Sequence, residues 1–233
     1  MQIRLGTTVR GLRRDRTGWT LTTGPTIAEV EDTFDAVVLA TPAAPTARLL
    51  TVAARDTAEL LRRVEYASMA IVTIVLHGPP PEWLDGSGFL VPPAEGLTIK
   101  ASTFSTVKWP WLRDAHPDLT FLRASIGRHR EEATLQHSDA ELVRTALADL
   151  ASVLGRGLPA PADAHVQRWG GGLPQYAPGH RALVEAARAG LPAGLALGGA
   201  AYDGVGIPAC IGSGRRAASA VLTHLRERSG HLG

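Results

Sequence analysis

The chain has 233 residues, with 24 Lys and Arg against 22 Asp and Glu, 45% hydrophobic residues, 25 Gly, 16 Pro and one Cys. That length suits one large domain or two small ones, and a 20% charged fraction beside this much apolar content excludes wholesale disorder. A formal charge of +2 with no basic run argues against a nucleic-acid partner, no apolar run reaches the roughly 18–20 residues of a membrane span, and the lone Cys210 excludes an internal disulfide or a cysteine metal cluster.

The opening residues also lack the charged region and apolar stretch of a signal peptide, so a cytoplasmic globular protein is expected. Residues 1–12 and Trp19–Gly24 give short alternating stretches around a charged, Gly-containing turn, the pattern of a small β-ribbon. Phe34–Ala40 is a compact apolar run closed by Thr41-Pro42 and reads as one strand buried on both faces of a parallel sheet. From Thr46 to Val64, Leu49, Leu50, Val52, Leu60, Leu61 and Val64 fall at helical spacings and predict two short helices. Ala70–Leu76 is β-branched and apolar, a strand stopped by Pro79-Pro80-Pro81.

Three more strands are expected in Gly86–Pro93, Lys100–Ser105 and Leu119–Ile126. Ser138-Asp139-Ala140-Glu141 is a capping box, and Leu142, Leu147, Leu150, Val153 and Leu154 continue its helix to Gly155. Pro159–Asp163 reads as a linker, His165–Trp169 as a strand and Gly179–Gly190 as a second helix. Leu195–Tyr202 is read as a strand of small residues, followed by a glycine-rich turn at Asp203–Pro208 and a long helix carrying Ile211, Ala218, Val221, Leu222 and Leu225. Strand, glycine turn and helix together make an anion-receptive end. Glycines let backbone approach a ligand, Pro208 suits the first helical turn, and the leading N–H groups point outward.

A turn of that kind is equally common where a helix merely packs on a sheet. No dinucleotide fingerprint opens the chain and no Walker-type lysine loop occurs. The His residues show no metal-ligand spacing, so no metal site is expected. No Gly-x-Ser-x-Gly elbow is present, and Gly212-Ser213-Gly214 is read as helping a helix to start. Cys210 reads as a small structural thiol, and Trp109 and Trp111 around Pro110 as a loop anchor.

Several segments together resemble the protoporphyrinogen/coproporphyrinogen III oxidase family, FAD-dependent enzymes of haem biosynthesis. They are Phe34–Ala43, Tyr66-Ala67-Ser68, Gly88–Pro92, Thr103–Pro110, Arg168-Trp169, Pro174–His180 and, above all, Gly199–Ile211. The likeness spans nearly the whole chain but begins where the second half of a family member would. The resemblance implies an α/β fold, a partial FAD/NAD(P)-binding domain of the glutathione-reductase type with an inserted mixed α+β substrate domain and without the N-terminal fingerprint. Residues 1–48 would be an FAD-domain segment, 49–163 a partial substrate-binding domain, and 164–233 the FAD-domain return with the C-terminal helix.

By the same resemblance FAD is the cofactor, and Val9, Trp169, Val205, Gly206 and Ile207 are its expected contacts. No residue is identified as a catalytic base. The implied activity is oxidation of coproporphyrinogen III or protoporphyrinogen IX with dioxygen as acceptor, giving hydrogen peroxide. A missing N-terminal half or self-association is the expected protein partner. Lys100, Lys108, Arg113 and Arg123 are candidates to meet substrate propionates, against the plainer reading of solvated charge. A non-catalytic porphyrin-binding remnant and a same-fold amine oxidase are the alternatives.

Overall fold

A computed structural model describes residues 2–16 and 18–230. Met1, Thr17 and residues 231–233, which the expected segments 1–48 and 164–233 include, lie outside the described residues. Contacts divide the chain into two compact units, one built from the described residues up to Glu65 together with those from Pro174 onward, the other from Tyr66–Leu173.

The first unit opens with an antiparallel ribbon, β1 (Val9–Arg14), β2 (Trp19–Thr23) and β3 (Val30–Phe34). Trp19 is fully buried in it, and Val9 pairs with Thr23 beside a register shift. The expected strand Phe34–Ala40 is not one strand. Phe34 closes the ribbon opposite Trp19, the chain turns at Asp35-Ala36, and β4 (Val37–Leu39) pairs in parallel with β10 (Leu195–Leu197). Nor is β4 buried on both faces, since Val38 is exposed and only Leu39 is buried. Helices α1 (Ala43–Leu50) and α2 (Arg55–Leu61) follow, as the periodicity predicts.

Those two helices belong with the first unit. Leu50, Ala58 and Leu61 are fully buried, and Thr57 Oγ1 donates to Ala187 O (3.0 Å) of α6 (His180–Ala189). The unit boundaries therefore fall at 65/66 and 173/174 rather than at the expected 48/49 and 163/164.

The second unit is a five-stranded sheet in the order β6-β7-β8-β5-β9, from β5 (Tyr66–His77), β6 (Gly88–Leu90), β7 (Ile99–Phe104), β8 (Leu119–Ile126) and β9 (Asp163–Pro174). Short helices α3 (Ser105–Lys108) and α4 (Pro110–Ala115) follow β7. Alternation along β5 and β8 sends Val72, Ile74, Leu122, Ala124 and Ile126 to one face, where Leu142, Ala146 and Leu150 of α5 (Asp139–Leu154) cover them. Each buried Leu or Ile there contributes roughly 1.5–3 kcal/mol.

Both ends of α5 are set by sequence. Ser138 accepts the Glu141 N–H while the Glu141 carboxylate accepts the Ser138 N–H (2.8 Å), and Gly155 ends the helix at φ +64°. The Asp149 carboxylate accepts the N–H groups of Thr98 and Ile99 (2.8 and 2.9 Å), which docks the helix on the start of β7.

Candidate functional site

The chain leaves β10 through Gly198 and Gly199, makes one helical turn, α7 (Ala200–Asp203), passes Gly204 and enters α8 (Ile207–Gly230). The expected strand Leu195–Tyr202 thus ends at Leu197, because Gly199 at φ +123° breaks the extended run. Gly204 is held at φ +129°, and a Cβ there would stand 2.9 Å from the Ala209 Cβ. The turn closes with Cys210 N–H donating to Gly206 O (2.9 Å), and Pro208 occupies the first turn of α8, where a missing N–H is no loss. Gly212-Ser213-Gly214 lies inside α8 rather than at its start.

Val205, Gly206 and Ile207 consequently form an exposed lip at the N-terminus of a 24-residue helix. Ile207 is 77% and Val205 49% exposed, and a Cβ on Gly206 would meet nothing nearer than Pro208 Cδ at 3.9 Å. The lip offers apolar surface, open space and the positive end of a helix dipole, about half an elementary charge.

Just before the lip, a single carboxylate gathers two arginines and a serine. Asp203, its side chain 10% exposed, pairs with Arg188 Nη2 of α6 (2.6 Å) and Arg216 Nη2 of α8 (2.7 Å) and accepts the Ser213 hydroxyl. Ser213 Oγ in turn accepts the Gly199 N–H (2.9 Å). Burial pushes the Asp203 carboxyl upward, but hydrogen bonds from Arg188, Ser213 and Arg216 and the Arg188 charge outweigh it and leave the group lowered to about 2. Arg188, Asp203 and Arg216 also line a cleft of about 530 Å3 with Tyr176 and His180, whose rings stack at 4.5 Å. The sequence placed Asp203 only in the glycine turn and Ser213 only at a helix start, and gave Arg188 and Arg216 no role. The available signal was an acidic residue directly before the glycine turn and a serine set between two glycines.

Of the expected contacts, Val205, Gly206 and Ile207 are contiguous, and Val9 lies in the same unit, half-exposed at the start of β1. Trp169 belongs to the other unit, on β9, and is 54% exposed. The neighbouring Arg168 is tied down to Asp139, to His137 O (2.7 Å) and to Leu135 O (3.3 Å), and Gly171 N–H donates to Ser68 Oγ (3.0 Å). The Arg168 side chain before the tryptophan and the Gly171 backbone after it are therefore both anchored. Among the described residues, no three His, Cys, Asp or Glu side chains are grouped to hold a metal ion, and no helix is long and apolar enough to cross a membrane.

The family model described as flavin containing amine oxidoreductase matches residues 1–222. The chain belongs to that family. It is 40% identical over 191 residues to a coproporphyrinogen III oxidase of Mycobacterium tuberculosis, covering 82% of this chain and 41% of the relative. It is 31% identical over 194 residues to a protoporphyrinogen oxidase of Bos taurus, covering 81% and 40%. A crystal structure from Exiguobacterium sp. 255-15, of a protein assigned as a protoporphyrinogen oxidase, superposes with a TM-score of 0.77 at 30% identity over 97% of this chain and 47% of the other. The chain thus spans about two fifths of the length of the curated relatives it matches. The resemblance carried by the sequence motifs holds, and so does the α/β fold class.

The cofactor of this flavoprotein family is FAD, and the residues present fit it. A planar, largely apolar ring system that gains negative charge on reduction matches an exposed Val-Gly-Ile lip at a helix N-terminus, where the central Gly206 leaves the space a side chain would fill.

Proposed function

We propose that this chain carries the flavin-contacting turn and part of the substrate domain of an FAD-dependent porphyrinogen oxidase of haem biosynthesis. The first unit is read as FAD-binding and the second as an inserted substrate-binding domain. The observation that carries the proposal is the Val205-Gly206-Ile207 lip at the head of α8, within a chain whose relatives are named coproporphyrinogen III and protoporphyrinogen oxidases. The 40% identity to the mycobacterial coproporphyrinogen III oxidase against 31% to the bovine protoporphyrinogen oxidase favours coproporphyrinogen III, giving coproporphyrin III. Dioxygen is the proposed acceptor, hydrogen peroxide the product and the cytoplasm the setting.

Bound flavin supplies acceptance of a hydride from the macrocycle. This chain's residues supply position and field. Val205 and Ile207 would shield the bound flavin from water, the α8 dipole would favour the charge that arrives, and the Asp203 pairings with Arg188, Arg216 and Ser213 would hold the turn that carries them. Val9 and Trp169 are the proposed further contacts. None of the lip residues 205–207 titrates, so no proton transfer is assigned to them. The reading assigns the remaining FAD contacts, the dinucleotide fingerprint among them, to sequence beyond these 233 residues or to a partner chain.

The test joins the chain to the part of the Mycobacterium tuberculosis relative that it does not match, loads the product with FAD, removes free cofactor by gel filtration and follows porphyrin fluorescence and peroxide release from coproporphyrinogen III and protoporphyrinogen IX in air. Co-eluting flavin with fluorescence growth faster on coproporphyrinogen III is the expected result. Flavin that co-elutes while both porphyrinogens stay unoxidised, with peroxide released from simple amines instead, would overturn it in favour of an amine oxidase.

A further inference from the structure

On the second unit, the sheet face opposite α5 carries a pocket of about 300 Å3. Register explains its wall. Arg123 of β8 stands opposite Thr73 of β5, and Phe121 opposite Val75, so Thr73, Phe121 and Arg123 share the face that α5 leaves uncovered. After β7 the chain folds back through α3 and α4, where the Phe121 N–H donates to Thr106 Oγ1 (2.6 Å), and this brings Trp109 and Trp111 over the same face. Trp111 is 66% exposed, which a loop anchor would not be. The wall also includes Ser105, almost fully buried, whose hydroxyl has no hydrogen-bond partner. An orphaned buried hydroxyl is uncommon and calls for a reason.

The cation in this pocket is available. Lys100 is committed to Gly127 O (2.6 Å), Arg113 bonds Asp114 (3.3 Å), and Lys108 sits 5.3 Å from the Trp109 ring centre. The Arg123 backbone pairs in the sheet, but its guanidinium makes no hydrogen bond or ion pair among the described residues. Two indoles, a phenyl ring and one free guanidinium select a flat aromatic ring bearing a carboxylate, because guanidinium pairs with carboxylate in a two-pronged fork. The volume sits at the low end for small-molecule sites, enough for one or two five-membered rings with a side arm and too little for a whole macrocycle.

We propose that this pocket is a subsite for an aromatic ring carrying a carboxylate, taking one propionate-bearing pyrrole edge of a tetrapyrrole with Arg123 on the carboxylate and Trp109 and Trp111 against the ring. The assignment rests on the porphyrinogen oxidase reading for the identity of its ligand. It singles out Arg123 from the four propionate candidates that the sequence offers.

The test is calorimetric titration of the full chain with coproporphyrin III and with two single-ring probes, indole-3-propionate and its neutral amide. Arg123 and Trp111 are both exposed, so Arg123→Gln and Trp111→Ala should fold, which circular dichroism checks. Arg123→Gln should weaken coproporphyrin III and indole-3-propionate about tenfold and leave the amide unchanged, as loss of one charge-assisted pair implies. Trp111→Ala should weaken all three. Coproporphyrin III binding that neither variant changes would overturn the subsite while sparing the oxidase reading. Absence of coproporphyrin III binding, with no porphyrinogen oxidised, would overturn the oxidase reading and the tetrapyrrole assignment together, even where Arg123-dependent binding of indole-3-propionate persisted.

Discussion

The Asp203 carboxylate joins three elements: its own α7, α6 through Arg188, and α8 through Ser213 and Arg216. A carboxyl lowered to about 2 in the fold and near 4 when unfolded contributes stability above pH ~4 and loses it as pH falls toward 2, about 2 kcal/mol in all. Asp203→Asn should therefore lower unfolding free energy at pH 7 by about 2 kcal/mol, and the gap to wild type should narrow below pH ~4. Denaturant titrations at pH 7, 5, 4 and 3 read this, and a gap constant across the series would count against the ion-pair account. The exposed Ile207 gives the contrasting case. Ile207→Glu should change stability by no more than about 0.5 kcal/mol, as surface substitutions do, yet reduce flavin retention on gel filtration by placing a charge on the lip.

At the scale of elements, the two ends of α5 and the head of α8 allow separate tests. Ser138→Ala removes the acceptor for the Glu141 N–H and should cost about 1 kcal/mol, read from the denaturation midpoint. Gly204→Ala should cost about 1–3 kcal/mol, because a side chain at φ +129° is strained and its Cβ would crowd Ala209; the same variant should retain less flavin. The capping box, the Gly179–Gly190 helix and the β-branched run of β5 were legible in sequence because each rests on local chemistry: a reciprocal cap, flanking glycines, side chains that fit a pleat. The strands at Phe34–Ala40 and Leu195–Tyr202 were read too long. Apolarity alone does not report that Asp35-Ala36 turns the chain from an antiparallel ribbon to a parallel pair, or that Ala200–Tyr202 coil once before the glycine turn. The lip itself was legible as glycines with a proline at a helix start. Its support was not, since Arg188 and Asp203 meet only when α6 packs beside α7.

The whole molecule has two apolar cores, and the chain passes from one to the other and back at residues 65/66 and 173/174. Leu142, Ala146 and Leu150 pack on the sheet of the second unit, whereas Leu50, Ala58 and Leu61 serve the first. Contacts concentrated within each unit make each one its own cooperative block, so a lesion in one core should register mainly there. Leu150→Ala, which empties a fully buried site, should cost about 2–5 kcal/mol and raise amide exchange across residues 66–173 while leaving 2–65 and 174–230 near wild type. Asp203→Asn should do the reverse. Hydrogen-exchange mass spectrometry on both variants decides the matter: reciprocal patterns would establish two blocks, and a uniform rise in exchange from either substitution would mean that the chain opens as one. The outcome also bears on the order of assembly, because the first unit is complete only after Pro174 and the residues beyond it are made, whereas Tyr66–Leu173 is continuous and can close its core without them.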